Sequence, residues 1–368
     1  MTGTTVEGLV LPGRLGNPDL TFGEDPRADP RLVAALARFG LDGHSDLPPV
    51  TPNSPSSDIL NFANGLERQF QGLFDALFAD VAPAVGVNRD EVTISAPDGH
   101  QIRLYIHAPA DRGSGRIPCI VHFHGGGMSI ITAADRPYVV FRDALAECGS
   151  LVIGVEFRNA AGCLGHHPFP AGLDDCESAL RWVFNQRAAL GVGAITLVGE
   201  SGGGNLALSL ALRAVRDGWA QQIGGVYAQC PFISNQWSQR PLAFPSMREN
   251  DAYVVSCALL AILGATYDPT ASHSSDPTCW PLMARDDELT GLPPHVISLN
   301  ELDPLRDEGL AYMRRLRTAG VSVVGRTVHG TCHAADIMFG PVIPDIFAAS
   351  VGDVSRFAHF QSTLGEIN

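Results

Sequence analysis

Leu66, Phe70, Leu73, Phe74, Leu77 and Phe78 recur at three- and four-residue spacing, which predicts a helix carrying one apolar stripe. A hairpin is expected next. Residues 91–95 and 101–108 flank the turn Pro97-Asp98-Gly99, and Ile102, Leu104 and Ile106 alternate as in a half-buried strand. From Ile117 the texture changes. Apolar strand-like runs at 117–123, 151–157, 194–198, 225–230, 296–299 and 321–328 alternate with helical patterns at 136–148, 173–187, 206–216 and 306–319. Continuous apolar strands with helices between them predict a mostly parallel sheet covered on both faces. The alternation breaks once, between Cys230 and Pro294, where no strand is convincing and one apolar helix is expected at 253–263. Long insertions in compact domains are usually lids or binding elements. The first fifty-odd residues are rich in Pro, Gly and Asp, with one helical stretch at 30–38, and read as an arm or part of a lid.

Composition adds exclusions. The chain of 368 residues is 45% hydrophobic and 17% charged, as expected of an ordinary soluble globular protein. A net charge of -14 argues against nucleic acid or an anionic membrane surface as partner. Residues 1–30 show no basic region followed by an apolar segment, so no signal peptide is expected. The longest apolar stretch, 257–265, is too short to span a bilayer. Eight cysteines lie scattered without C-x-x-C spacing, and Cys119 and Cys230 sit inside strand-like runs. Free buried thiols in a cytoplasmic protein are the expected explanation.

The chemistry concentrates at three places. The run 194–198 ends in Gly199-Glu200-Ser201-Gly202-Gly203, and a helix-prone segment follows at once. Strand, sharp turn and helix in that order are what a nucleophile elbow requires, with glycines beside Ser201 permitting the turn. A serine hydroxyl needs a base to take its proton and a third group to orient that base. The strand at 296–299 is followed by Asp303, with Glu301 and Asp307 as competitors. Asp307 falls in a first helical turn, where the helix dipole favours a carboxylate regardless of catalysis. The strand at 321–328 is followed by His329 and His333, of which His333 has the freer loop and is preferred. The third place is His122-Phe123-His124-Gly125-Gly126-Gly127-Met128, an H-G-G-G loop whose N–H groups, with that of Gly202, can face a developing oxyanion. A metal site on His122 and His124 lacks a third ligand at convincing spacing, and His166-His167 diverge as sequence neighbours. No metal and no cofactor are expected, and no phosphate-binding G-x-x-x-x-G-K-[ST] motif occurs.

Together these residues resemble the hormone-sensitive-lipase-like branch of α/β-hydrolase esterases, bacterial lipolytic family IV. The matching pieces are HGGG at 124–127, HPFPAGLDD at 167–175, GESGGGN at 199–205, DPLRDEG at 303–309 and the histidine loop at 330–336. The resemblance implies an α/β-hydrolase fold with a helical cap. It implies Ser201 as nucleophile, Asp303 as acid, His333 as base, and Gly125, Gly126 and Gly202 as oxyanion donors. The expected division is an N-terminal arm at 1–60 contributing to the cap, a catalytic domain at 61–230 and 291–368, and a cap insertion at 231–290. His124, Met128, Phe232, Met247, Tyr253 and Phe339 are expected to line the pocket. The sequence departs from the family at Glu200 and Gly202, where the commoner pattern is GDSAG, and at 157–162, where it reads FRNAAG.

The reaction expected is hydrolysis of small to medium acyl esters through an acyl-enzyme. A lactone, amide or carbonate hydrolase on the same residues, or a non-catalytic ligand-binding relative, are the alternatives. A small-molecule ester is the expected partner, and the exposed last strand could pair across a two-fold axis to form a homodimer.

Overall fold

The computed structural model describes residues 10–113 and 115–367, so the first nine residues of the expected arm lie outside the described residues. Eight strands form one sheet: β1 (Val87–Ser95), β2 (Gln101–Pro109), β3 (Ile117–Phe123), β4 (Leu151–Glu156), β5 (Val192–Glu200), β6 (Gly225–Gln229), β7 (His295–Leu302) and β8 (Val323–Cys332). Their order is β1-β2-β4-β3-β5-β6-β7-β8. The hairpin β1–β2 and its junction with β4 are antiparallel, and every other pairing is parallel. The order reverses between β3 and β5, which lie side by side. In open α/β sheets that reversal opens a crevice beyond the strand ends, where ligands bind. Here the end of β3 carries the H-G-G-G loop and the end of β5 carries Ser201.

Side chains of β3 alternate between two apolar layers. Cys119, Val121 and Phe123 enter the larger core, while Ile120 faces a smaller one with Val152, Val198 and Tyr227. That smaller layer is closed by the helix Arg136–Glu147 and by a 24-residue helix, Pro344–Ile367, through Val351, Val354 and Ala358. The sequence reading missed this last helix. Its Gly352 and scattered polar residues blur the periodicity, and contact with the sheet holds it in place.

The expected helix at 66–78 is longer and begins earlier, at Ser56–Leu77, so it runs across the expected boundary at 60/61. It packs against the helix Cys257–Tyr267 of the insertion. Between β6 and β7 the described residues hold short helices and a single bridge, Tyr253 to Val255, but no strand of the sheet. β8 occupies the sheet's edge, beside β7 alone, with Val324 60% exposed on it. Among the described residues no helix is long and apolar enough to cross a membrane.

One contact sets the position of the helix Gly202–Arg216. A Cβ built on Gly203 would lie 1.9 Å from the carbonyl oxygen of Phe123, a backbone atom that cannot move aside without shifting β3. Overpacking a well-packed core costs about 1–3 kcal/mol. Gly203→Ala should therefore lower the denaturant midpoint by a corresponding amount or more. An unchanged midpoint would contradict so close an approach.

Candidate active site

Ser201 sits at the point where β5 becomes helix, with φ +54° and ψ -117°. That conformation is uncommon for a residue with a Cβ and requires surrounding structure to hold it. The holding contacts are backbone ones: Ser201 N–H donates to Gln229 O at 2.9 Å, and its carbonyl accepts from Asn205 N–H at 3.0 Å and Phe232 N–H at 3.1 Å. The helix start behind it presents a positive dipole end to the site.

Three elements converge on this serine. His333 Nε2 lies 2.9 Å from Ser201 Oγ, and His333 Nδ1 lies 2.8 Å from Asp303 Oδ2. Asp303 is fully buried, and its Oδ1 accepts from Leu305 N–H at 2.9 Å, which fixes the carboxylate's rotation. The competing acids are elsewhere. Glu301 Oε2 accepts from Gly330 N–H at 2.9 Å and pairs with the exposed His329 at 3.2 Å. Asp307 accepts from Ser246 N–H at 2.7 Å and pairs with Arg306.

The H-G-G-G loop is oriented peptide by peptide. In a trans peptide the carbonyl and the following N–H point opposite ways. His124 Nδ1–H donates to Gly125 O at 3.0 Å, which turns the Gly126 N–H away from it. Gly126 O accepts from Ser129 N–H and Ile130 N–H at 3.0 and 3.1 Å, which does the same for the Gly127 N–H. Among the described residues the N–H groups of Gly126, Gly127 and Gly202 have no acceptor, and the last two are close neighbours: a Cβ on Gly202 would lie 2.8 Å from Gly127 N. Gly125 differs from expectation. Its N–H donates to the Tyr138 hydroxyl oxygen at 3.1 Å and is not free to meet an oxyanion. Proximity in sequence to His124 could not reveal that partner, which comes from the helix Arg136–Glu147.

Behind the elbow, Glu200 and His122 are both fully buried and share a hydrogen bond of 3.0 Å. Burial pushes the Glu200 carboxyl up to about 8 and holds His122 well below its usual value. Both shifts favour the uncharged forms of the pair beneath the serine. His124, stacked on Phe157 at 4.1 Å, is also neutral, its value pushed down to about 3 by burial.

Residues 120–337 match the model of a family described as having the alpha/beta hydrolase fold. The chain belongs to the alpha/beta hydrolase fold family. It is 41% identical to brefeldin A esterase, described as a bacterial homologue of human hormone sensitive lipase, with a TM-score of 0.92 over 97% of this chain and 100% of that one. It is 32% identical to esterase Est22, with a TM-score of 0.82 over 92% and 99% of the two chains. It is also 35% identical to carboxylesterase NlhH of Mycobacterium tuberculosis over 213 residues, which are 56% of this chain and 63% of that relative's length. The resemblance read from the motifs is shown at the level of family and branch.

Within this alpha/beta hydrolase, the cavity above Ser201 has a volume of about 80 Å³. Phe70, Phe74, Ile131, Leu260, Leu263 and Met338 are among the residues lining it, and among the described residues Ser201 and His333 supply its only polar side chains. Of the six expected pocket residues only Phe339 lines it. Met128 and Met247 are buried in the core, and Phe232 stacks on Trp237 at 4.0 Å. Tyr253 turns its hydroxyl to Asp25 Oδ2 at 3.1 Å, and His124 is held against Phe157. Much of the lining comes instead from the helices Ser56–Leu77 and Cys257–Tyr267, of which the sequence showed an apolar stripe in the first and an apolar helix within the expected insertion in the second.

The sequence also concealed Glu67. This buried carboxylate of the helix Ser56–Leu77 accepts from Ile131 N–H at 2.7 Å and Cys163 N–H at 2.6 Å, tying the helix to the turn that follows the H-G-G-G loop. Cys230, Asp303 and His333 bring three potential metal-ligating atoms within 4.8 Å of one another. Asp303 and His333 already bond each other, however, and burial raises the Cys230 thiol well above its ordinary value, so it keeps its proton.

The raised Glu200 value has a measurable consequence. Between its ordinary value of 4.5 and about 8, the folded chain keeps a proton that the unfolded chain releases. Stability contributed by this group is fully present below the lower value and is lost as pH rises through the upper one. The loss has an upper bound of about 1.4 kcal/mol per pH unit. Urea midpoints measured from pH 5 to 8.5 should fall for the wild type and fall less for Glu200→Gln. Parallel profiles would contradict the assignment.

Proposed function

We propose that the chain is a serine carboxylesterase that hydrolyses small to medium acyl esters through an acyl-enzyme. The observation that carries this reading is the unbroken hydrogen-bonded series Ser201–His333–Asp303 beside unengaged N–H groups of Gly126, Gly127 and Gly202. In it, His333 Nε2 takes the Ser201 proton as Oγ attacks the ester carbonyl. The three N–H groups then stabilise the tetrahedral oxyanion, a duty in which each donor is worth about 10²–10³ in turnover. His333 returns the proton to the leaving alcohol and next activates water against the acyl-serine. Asp303 keeps the imidazole in the tautomer that leaves Nε2 free to accept and stabilises its charged form.

The cap of this reading comprises the arm, the whole helix Ser56–Leu77 and the insertion at 231–290, because both helices wall the cavity. All eight cysteines are free, which supports the cytoplasmic placement. The unpaired edge of β8 supports a homodimer formed across it. A monomer mass in light scattering at micromolar concentration, unaffected by a proline in β8, would remove the dimer.

Ser201→Ala should abolish hydrolysis of p-nitrophenyl acetate and butyrate, a loss of about 10⁶ in kcat, with the thermal midpoint retained. Asp303→Asn should cost about 10⁴, while Glu301→Gln and Asp307→Asn should spare the chemistry. Activity surviving in Ser201→Ala would overturn the nucleophile. A fluorophosphonate probe separates this reading from a ligand-binding one, since only an activated serine reacts.

A further inference from the structure

The carbonyls of the H-G-G-G loop are each fixed by a donor, and the last of these donors is a distant side chain's neighbour. Gly125 O accepts from His124 and Gly126 O from two backbone N–H groups. Among the described residues Gly127 O has one donor alone, the Ser129 hydroxyl at 3.0 Å. Ser129 is fully buried and its backbone is anchored on both sides. Its N–H donates to Gly126 O at 3.0 Å, and its carbonyl accepts from Ala161 N–H at 2.9 Å.

The Ser129 hydroxyl also meets the helix Cys257–Tyr267. Buried Thr266 Oγ1 lies 2.6 Å from Ser129 Oγ and 2.7 Å from Leu263 O, which is itself 3.3 Å from Ser129 Oγ. Two hydroxyl oxygens 2.6 Å apart require a proton between them, so one donates to the other. If Ser129 donates, Thr266 gives its proton to Leu263 O and Gly127 O is left bare. If Thr266 donates, the Ser129 proton is released to Gly127 O. Leu263 is inside its helix, where its carbonyl already receives the N–H four residues on, whereas Gly127 O has no second donor. A buried carbonyl without a donor is the costly case, which favours the order Thr266 to Ser129 to Gly127.

The same helix rests on the loop. Gly127 has φ +62°, and a Cβ built on it would lie 3.0 Å from Leu263 Cδ1 and 3.2 Å from Leu263 Cβ. Leu259, Leu260 and Leu263 also line the cavity, whereas Ser129 and Thr266 do not. One helix therefore touches both the cavity and the loop that carries two unengaged N–H groups.

We propose that Thr266 is a positioning residue for the reaction at Ser201: its hydroxyl directs the Ser129 proton onto Gly127 O, and the pair thereby holds the Gly126 and Gly127 N–H groups in place for the oxyanion. The proposal rests on the esterase reading. Neither hydroxyl meets the substrate, and Thr266 acts only through Ser129.

Thr266→Val removes the hydroxyl at nearly constant volume, Thr266→Ser keeps it, and Ser129→Ala removes the donor to Gly127 O. On p-nitrophenyl butyrate, Ser129→Ala should lower kcat about tenfold or more and Thr266→Val about three- to tenfold, with KM within about twofold in both. A trifluoromethyl ketone tests the oxyanion directly, because Ser201 Oγ adds to its carbonyl carbon while His333 takes the proton. Its affinity should fall by the same factor as kcat/KM. Thr266→Ser should remain within about twofold of wild type throughout. The double variant should lose no more than Ser129→Ala alone, since residues acting in one chain are not additive. The proposal is overturned by losses that multiply in the double variant, by an unchanged kcat in Thr266→Val, by an equal loss in Thr266→Ser, or by ketone affinity that holds while kcat falls. A wild type that neither hydrolyses the butyrate nor reacts with a fluorophosphonate would instead strike the hydrolase reading. Amide hydrogen exchange then decides the positioning role separately. The segment 125–130 should exchange faster in Thr266→Val than in wild type or Thr266→Ser, and equal exchange in all three overturns it.

Discussion

The approach of Gly203 to the carbonyls of Phe123 and His124 is the constraint on which the site depends. It lets a helix start directly against the end of a neighbouring strand. The N–H groups of Gly127 and Gly202, from two different elements, then lie close together without an acceptor among the described residues, and Ser201 is held in its uncommon conformation beside them. No side chain chemistry could compensate for a wider gap. An oxyanion must be within hydrogen-bond reach of donors from both elements at once, so backbone spacing, set here by a missing Cβ, comes before pKa or pocket shape.

Much of this was legible in the residues. The sheet follows from apolar runs punctuated by helices, and the elbow and the Asp303 and His333 loops follow from their order after successive strands. The limits are physical and specific. Gly125 lost its expected role because Tyr138, thirteen residues away on a helix, accepts its N–H. Met128, Phe232, Met247 and Tyr253 carry the composition of a pocket wall but are consumed by core packing. Phe70 and Phe74, which do form the wall, have a periodicity identical to that of buried core. Period alone tells which face of a helix is apolar and says nothing of whether protein or substrate covers it.

Buried carboxyl groups do two different jobs here. Glu67 accepts backbone N–H groups from two separate turns and so couples the helix that walls the cavity to the turn that follows the H-G-G-G loop. Glu200 lies where the commoner family residue is aspartate, reaches His122, and is pushed by burial toward its uncharged form under the elbow. The first joins the cavity-walling helix to the layer that carries Ser201, and the second is favoured in its uncharged form directly beneath that serine.

The helix Pro344–Ile367 closes the smaller apolar layer beneath β3 and β5, yet it is the last described element of the chain. A ribosome delivers the polypeptide from the amino end, so Ile120, Val198 and Tyr227 are translated long before the residues that cover them. That underside therefore stays open to water, or to a chaperone, until residues beyond Pro344 have left the exit tunnel. Closure of that layer thus comes only after the whole candidate triad, whose last member is His333, has been translated.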